Sequence, residues 1–230
     1  MNKTLTIIIP TYNMEKYLGR CLSSLIVKNS DVFAMLEVLV VIDGATDRSL
    51  EIAKEFEERH PSSIRVINKE NGNYGSCINR GLKETSGKYV KILDADDYVE
   101  TSNLEKLIAY LSQSDVDLVL TDFQKVDELG NAIDSPKFYA QAGKLLDFSA
   151  IDPTQFMEMH MVTYKTENLR AMNYVQTERV SYTAQEWIFA PMISVQKFCY
   201  LNMVVYDYLW GREGQTMDAA IYLKSQTQLM

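Results

Sequence analysis

In the first half of the chain, short apolar runs alternate with segments in which apolar residues recur at helical spacing. The runs are rich in β-branched residues, which is typical of buried parallel strands. The segments between them have one apolar face, which predicts amphipathic helices. The predicted strands are Leu5–Ile9, Leu36–Ile42, Ile64–Ile67, Tyr89–Leu93 and Leu118–Thr121, and the predicted helices are Glu15–Ile26, a segment from Thr46 or Asp47 to His60, Tyr74–Glu84 and Asn103–Leu111.

This alternation predicts an α/β fold with a Rossmann-like, mostly parallel sheet that is flanked by helices. In such sheets ligands bind outside the carboxyl ends of the strands. Three predicted strands end in polar residues, at Pro10–Asn13, Asp43–Gly44 and Asp94–Asp97. Because these ends meet at one edge of the sheet, the sequence predicts a ligand site there.

The periodic pattern ends near residue 125. Residues 126–143 contain turn residues such as Gly130 and Pro136, and they predict a hairpin or a connecting loop. The segment that follows is rich in methionine and aromatic residues. We therefore predict an α/β domain over residues 1–125 and a smaller lobe over residues 126–230 that packs on it.

Composition and charge narrow the class of ligand and the compartment. The 230 residues carry a formal net charge of -8, which disfavours nucleic acid as a partner. An acidic protein can still bind a diphosphate if a divalent cation lies between the two. The 3 cysteines form no metal or disulfide pattern. Without a signal-peptide pattern or a membrane-spanning apolar run, the chain is predicted to be cytoplasmic, and peripheral contact with a membrane stays open.

The sequence Asp94-Ala95-Asp96-Asp97 follows an apolar strand. A pair of carboxylates with one small residue between them suits Mg²⁺ or Mn²⁺, which can bridge the pair to a diphosphate. The same pattern is also typical of a turn with capping aspartates. The loop Asn71–Ser76 can bring backbone close to phosphates, and an ordinary turn explains it equally well.

Taken in order, these motifs resemble glycosyltransferase family 2, the inverting enzymes of the GT-A fold. The segments that carry the resemblance are TIIIPTYNMEKYLGRCLSSL, VVIDGATDRS and NGNYGSCINRGLKETSGKYVKILDADDYV. The resemblance implies transfer of a hexose from a nucleotide-diphospho-sugar, with UDP the expected nucleotide, to an acceptor hydroxyl with inversion. It also implies a Mg or Mn cofactor, a glycan or lipid-linked acceptor, and a role in cell-surface polysaccharide or glycan synthesis.

The resemblance further implies roles for particular residues. Tyr12 is expected to stack on the base, and Asp43 to accept a hydrogen bond from the base edge. Asp94 and Asp96 are expected to serve the ribose and the metal-bound diphosphate, with Asp96 the more direct ligand. The expected donor-binding residues are Pro10, Thr11, Tyr12, Asp43, Gly72, Asn79, Asp94 and Arg212, and the expected metal ligands are Asp96 and Asp94.

The second half resembles the family less closely, through MHMVTYKTENL, TAQEWIFAPM and YDYLWGREGQTM. The resemblance implies that this lobe, residues 126–230, binds the acceptor. Glu186 is the predicted catalytic base, although the family usually has a pair of acids where this chain has Gln185 and Glu186. Another register puts Ala184 at the base position, and a helix-capping role for Glu186 also stays open. His160 either touches the substrate or packs in the core, and Arg212 either reaches the diphosphate or is solvated.

Two other functions remain open. A nucleotidyltransferase also combines an α/β sheet with a carboxylate-bound metal. Its glycine-rich loop with a basic residue is expected directly after the first strand, where this chain has Pro10–Asn13. A non-catalytic protein that binds sugar nucleotides is favoured only by the missing second acid near Glu186.

Overall fold

The computed structural model describes residues 3–152, 154–180 and 183–212. The strands are β1 Leu5–Thr11, β2 Leu36–Asp43, β3 Ile64–Lys69, β4 Tyr89–Ile92, β5 Tyr98–Val99, β6 Leu118–Val126, β7 Ala132–Asp134, β8 Leu145–Asp147, β9 Val162–Lys165 and β10 Lys197–Leu209. The helices are α1 Leu18–Ser24, α2 Ser30–Ala34, α3 Ser49–Arg59, α4 Asn73–Glu84, α5 Thr101–Gln113, α6 Thr166–Ala171 and α7 Ala184–Phe189. Short 3-10 turns lie at Phe148–Ala150, Met159–Met161 and Pro191–Ser194.

The strands form one sheet in the order β3-β2-β1-β4-β9-β6-β10-β5, with β7 beside β6 and β8 beside β10. Strands β3, β2, β1 and β4 are parallel neighbours, and β6 is parallel to β10. Strand β9 runs antiparallel between β4 and β6, and β5 is antiparallel to β10. The predicted α/β fold is therefore confirmed, with a parallel first half and a mixed second half.

Strands from both halves of the chain share this sheet. Strand β9 lies between β4 and β6, and β10 lies between β6 and β5, although both follow residue 125. The second half therefore completes the sheet that the first half begins. The division of function between residues 1–125 and 126–230 stays a prediction.

The centre of the sheet is covered on both faces. Every residue of β1 and β2 is buried, including the side chains that alternate between the two faces. Helix α4 packs on these two strands. Burial of both faces is what a continuous β-branched run predicts, and it leaves the strand ends as the accessible part of the central sheet.

Two helical glycines provide a matched test of this packing. A Cβ on Gly81 of α4 would lie 2.6 Å from Ile8 Cγ2, whereas a Cβ on Gly19 of α1 would have no described atom within 4 Å. Gly81→Ala is expected to lower the free energy of unfolding by about 1–3 kcal/mol through overpacking. Gly19→Ala is expected to raise it by about 0.5–1 kcal/mol. Urea unfolding measures both, and equal effects would contradict the close approach of α4 to β1.

Among the described residues, none of the helices is both long and apolar enough to cross a membrane.

Candidate functional site

The loop after β4 carries three aspartates and is fixed from two sides. From α4, the Tyr74 hydroxyl donates a hydrogen bond of 2.7 Å to the Asp94 carboxylate. From β10, the Tyr206 hydroxyl donates to the Asp97 carboxylate at 2.6 Å and accepts the Asp94 N–H at 3.1 Å. The Leu209 N–H also donates to Asp97, at 2.8 Å. These bonds hold the loop, which we call the acidic loop (Asp94–Asp97), at the carboxyl end of β4.

The middle carboxylate of the acidic loop pairs with a residue from the end of the described chain. Arg212 Nε donates to Asp96 Oδ2 at 2.5 Å, and both side chains are largely buried. The Arg212 guanidinium also lies 5.3 Å from the centre of the Tyr17 ring. The structure thus brings two predicted site residues together. Residues 213–217 of the segment YDYLWGREGQTM, which carried this prediction, lie outside the described residues, as do residues 218–230 of the predicted lobe.

One group in the described part of the chain has the geometry for a metal ion, and it shares only Asp94 with the predicted pair. Asp94, Asp97 and His160 each offer a ligand atom, and these atoms lie within 4.8 Å of one another. Two carboxylates suit Mg²⁺ or Mn²⁺, whereas an imidazole nitrogen is a ligand that Zn²⁺, Fe²⁺, Ni²⁺ and Cu²⁺ favour. The two carboxylates therefore fit the cation that the sequence predicted, and the imidazole is compatible with a transition metal.

His160 was left open by the sequence, and the structure places it in the acidic site. Its side chain is buried and stacks on Tyr208, with ring centres 4.5 Å apart and an angle of 28°. Glu158 Oε2 lies 3.0 Å from His160 Nδ1, outside hydrogen-bond geometry, and this nitrogen has no hydrogen-bond partner among the described residues. Buried nitrogens without a partner are rare in proteins, and His160 is the residue that joins Asp94 and Asp97 in the candidate metal group.

The acidic loop concentrates negative charge in a buried place. Removal from water, and then the charge of Asp96, raises the pKa of Asp94 to about 6. Burial, followed by the charges of Asp96 and Asp94, also raises the pKa of Asp97 well above its usual value. Close carboxylates resist ionisation together unless a positive charge compensates them. A divalent cation in the site would supply that charge.

A buried lysine supports the same site from inside the sheet. Lys91 on β4 is 1% exposed, and burial lowers its pKa to about 7. Its Nζ donates to the carbonyl oxygens of His160 at 2.5 Å and Val162 at 3.3 Å. Lys91 therefore links β4 to the turn that carries His160. Sequence reasoning missed it, because a lysine within an apolar strand gives no sign of its partners.

The predicted base pocket lies at the ends of two neighbouring strands. Thr11, the last residue of β1, pairs with Ile42 of β2, and Pro10 pairs with Val41. Tyr12 follows directly and is 50% exposed. Asp43 ends β2, so Tyr12 and Asp43 occupy adjacent positions at the sheet edge where the acidic loop also lies.

The Asp43 carboxylate is buried and fixed by two donors. Lys69 Nζ donates to Oδ1, and the Gly72 N–H donates to the same oxygen at 2.9 Å. The sequence predicted Gly72 but missed Lys69. The register of β2 and β3 could have identified it, because Lys69, the last residue of β3, lies directly opposite Asp43. Gly44 then adopts a φ of +68°, where a Cβ would lie 3.0 Å from the Asn71 nitrogen.

Two other predicted residues contact residues 174–178, which we call the strap. Asn79 Nδ2 donates to the Gln176 carbonyl at 2.9 Å and to Glu178 Oε1 at 2.8 Å. The Glu186 carboxylate accepts the Thr177 N–H at 2.8 Å and the Thr177 Oγ–H at 2.5 Å. Asn79 and Glu186 are therefore joined through the strap.

Comparison with known proteins identifies the family. The sequence profile described as Glycosyl transferase family 2 matches residues 6–172, which is more than half of the chain. The chain belongs to glycosyltransferase family 2. The matched residues include the base-pocket strands and the acidic loop.

Curated glycosyltransferases match the chain over part of their length. Over 219 residues the chain is 27% identical to the poly(ribitol-phosphate) beta-N-acetylglucosaminyltransferase TarS of Staphylococcus aureus. This match covers 94% of the chain and 37% of TarS. Over 124 residues the chain is 36% identical to the glycosyltransferase GlyA of Streptococcus pneumoniae, which covers 54% of this chain and 17% of that protein. The chain thus spans well under half the length of these relatives.

Solved structures share the fold. The S. aureus TarS fragment 1-349 in complex with UDP-GlcNAc superposes with a TM-score of 0.76 at 22% identity, over 94% of this chain and 61% of that one. The mannosyltransferase PcManGT of Pyrobaculum calidifontis, in complex with GDP-Man and Mn²⁺, superposes with a TM-score of 0.67 at 16% identity, over 99% of this chain and 63% of that one. These likenesses confirm the GT-A fold.

Proposed function

We propose that the protein transfers a hexose from a UDP-sugar to an acceptor hydroxyl, with inversion and with the help of a divalent cation. The observation that carries the proposal is the placement of the base-pocket residues and the acidic loop at one edge of the sheet. Membership of family 2 supports the reaction class, and the TarS complex with UDP-GlcNAc supports the donor class. A glycan or lipid-linked acceptor is proposed by the same analogy.

In this proposal each part of the site binds one part of the donor. Tyr12 stacks on the base, and Asp43 accepts a hydrogen bond from the base edge. Pro10, Thr11 and Gly72 shape the pocket around them. With the base bound in this pocket, the diphosphate of the donor points toward the acidic loop.

The diphosphate end of the donor is assigned to the acidic loop and its neighbours. Asp94 and Asp96 are the proposed cation ligands, and Asp97 and His160 are further candidates because their ligand atoms group with that of Asp94. A bound Mg²⁺ or Mn²⁺ would neutralise charge on the departing diphosphate. Arg212 pairs with Asp96 and is proposed to bind the same charge.

Glu186 is the proposed base for the acceptor hydroxyl. An inverting transfer needs a carboxylate on the acceptor side, within hydrogen-bond reach of the attacking oxygen. Glu186 is partly exposed on α7, and the buried Trp187 beside it packs against Tyr164. The carboxylate therefore extends from a helix that is anchored in the core.

A non-catalytic donor-binding role is favoured by two observations. Both oxygens of Glu186 already accept hydrogen bonds from Thr177, and the residue next to it, Gln185, is not an acid. Release of UDP from a sugar donor by the purified protein distinguishes an enzyme from a binding protein. Absence of any turnover would favour the binding role.

A thermal-shift panel tests the donor and the cation together. A ligand that binds only the native state stabilises it, by about 2.7 kcal/mol when its concentration is 100 times its Kd. This added stability raises the midpoint temperature of unfolding. We expect UDP-sugars to raise the midpoint with Mn²⁺ present and much less in excess chelator. A shift of equal size with chelator would contradict the cation assignment, and no shift with any UDP-sugar would contradict the donor class.

Removing the Asp43 side chain is expected to weaken binding of UDP. The lost hydrogen bond to a charged group is worth about 1–3 kcal/mol, which is roughly a 5- to 150-fold rise in Kd. Calorimetric titration with UDP and Mn²⁺ measures the change in Asp43→Ala. The exposed Asp134→Ala, on β7, is the control and should bind as the wild type does. An unchanged Kd in Asp43→Ala would place the base elsewhere.

A further inference from the structure

The strap connects α4, on the donor side, to α7, which carries Glu186. Its central residue is held in both directions by Asn79, whose Oδ1 accepts the Gln176 N–H at 2.8 Å and whose Nδ2 donates to the Gln176 carbonyl at 2.9 Å. Gln176 is 0% exposed, and its side-chain amide donates to the Thr183 carbonyl at the start of α7. The strap is therefore anchored at both helices through one buried residue.

The next residue of the strap touches the first turn of α4. A Cβ on Gly75 would lie 2.0 Å from the Thr177 carbonyl oxygen, so only glycine permits this approach. Gly75 directly follows Tyr74, whose hydroxyl donates to Asp94 of the acidic loop. Thr177 is thus placed within a short chain of contacts from the candidate cation site.

Thr177 also fixes the orientation of the Glu186 carboxylate. Its N–H donates to Oε2 at 2.8 Å, and its Oγ–H donates to Oε1 at 2.5 Å. An ionised carboxylate has about four lone-pair sites, so two bonds leave acceptor capacity on both oxygens. Hydrogen bonds to both oxygens restrict rotation of the group without consuming it.

We propose that Thr177 is a positioning residue that aims the Glu186 carboxylate at the acceptor hydroxyl. The strap holds Thr177 in place through its bonds to Asn79 and its contact with Gly75. Asn79 then acts on the reaction through the strap rather than through contact with the donor. This inference rests on the proposed role of Glu186 as the base, and it adds the group that orients that base.

The experiment compares Thr177→Val, which removes only the Oγ–H donor, with Thr177→Ser, which retains it. UDP release from UDP-GlcNAc with Mn²⁺ is measured with water as the acceptor, because the same base would activate either nucleophile. We expect Thr177→Val to lower kcat by about 10-fold or more, the loss typical of one hydrogen bond to a charged group, with the KM for UDP-GlcNAc unchanged. Thr177→Ser should restore most of kcat.

Matched variants separate this inference from the proposed function. Thr154→Val, in an exposed turn, should leave kcat unchanged, and Glu186→Gln should lower turnover by about 10²–10⁴-fold. Wild-type kcat in Thr177→Val together with inactive Glu186→Gln would overturn the positioning role and leave the base assignment intact. Turnover retained in Glu186→Gln, or absent in the wild type, would overturn both. A fall in kcat of Thr177→Val that comes with an equal rise in KM, and that Thr177→Ser does not rescue, would also overturn the inference. Such a result indicates a structural role for Thr177.

Discussion

Asp94→Asn is expected to reduce UDP release from UDP-GlcNAc by about 10²–10³-fold, the range seen when one electrostatic contact to a departing charge is removed. Asp94 belongs to both the predicted metal pair and the group of ligand atoms within 4.8 Å. Asparagine keeps an oxygen that can accept the Tyr74 hydrogen bond, so the loop should stay in place. The substitution removes a negative charge from the proposed cation site.

Thermal midpoints, a second variant and a control show whether the loss of activity in Asp94→Asn comes from the proposed cation site. The thermal midpoint of Asp94→Asn without ligand should stay close to that of the wild type, while its Mn²⁺-dependent shift with UDP-GlcNAc should disappear. Asp96→Asn should also lose transfer and release Arg212 from its ion pair. Asp147→Asn, an exposed carboxylate that pairs with Lys197, serves as the control. Full activity of Asp94→Asn would remove the acidic loop from the reaction.

Glu186→Gln is expected to lower turnover by about 10²–10⁴-fold, the usual contribution of a general base, while donor binding is retained. Glutamine has the shape of glutamate, and its carbonyl oxygen can still accept the Thr177 N–H. The Thr177 hydroxyl can turn to accept a hydrogen bond from the new amide. The strap should therefore remain in place, and the loss should come from the missing basic oxygen.

Turnover and the Kd for UDP-GlcNAc are measured on the same preparation of Glu186→Gln. Glu167→Gln, at an exposed position on α6, is the matched control and should match the wild type in both. A loss of binding together with turnover would indicate that Glu186 only stabilises the fold. Unchanged turnover would leave the chain without its proposed base.

The sequence predicted the parts of the fold that depend on continuous apolar runs. Strands β1 and β2 are buried on both faces, and buried strands of this kind consist almost wholly of β-branched and aliphatic residues. Strand β10 was not predicted. It contains Asn202 and Asp207, and its register with β6 shifts twice, so its pattern matches neither a buried strand nor a simple alternation.

The residues of the candidate site also divide into those that the sequence could predict and those that it could not. Tyr12, Asp43 and Asp94 follow apolar strands directly, so the chain itself shows that they lie at strand ends. Tyr206 reaches the acidic loop only because β10 enters the sheet beside β6, which no local pattern indicates. His160 joins the site through the turn before β9, and its neighbours in sequence are methionines that would equally suit a packing role.

The insertion of β10 into the sheet has a consequence for the order of folding. Tyr206 is separated by 112 residues from Asp94, whose loop it fastens. Closing so long a loop costs chain entropy, and native contacts of large sequence separation form slowly. During synthesis the four parallel strands leave the ribosome well before β10 does. The nascent chain therefore carries its four parallel strands while its acidic loop is still unfastened, and the proposed cation site is completed late.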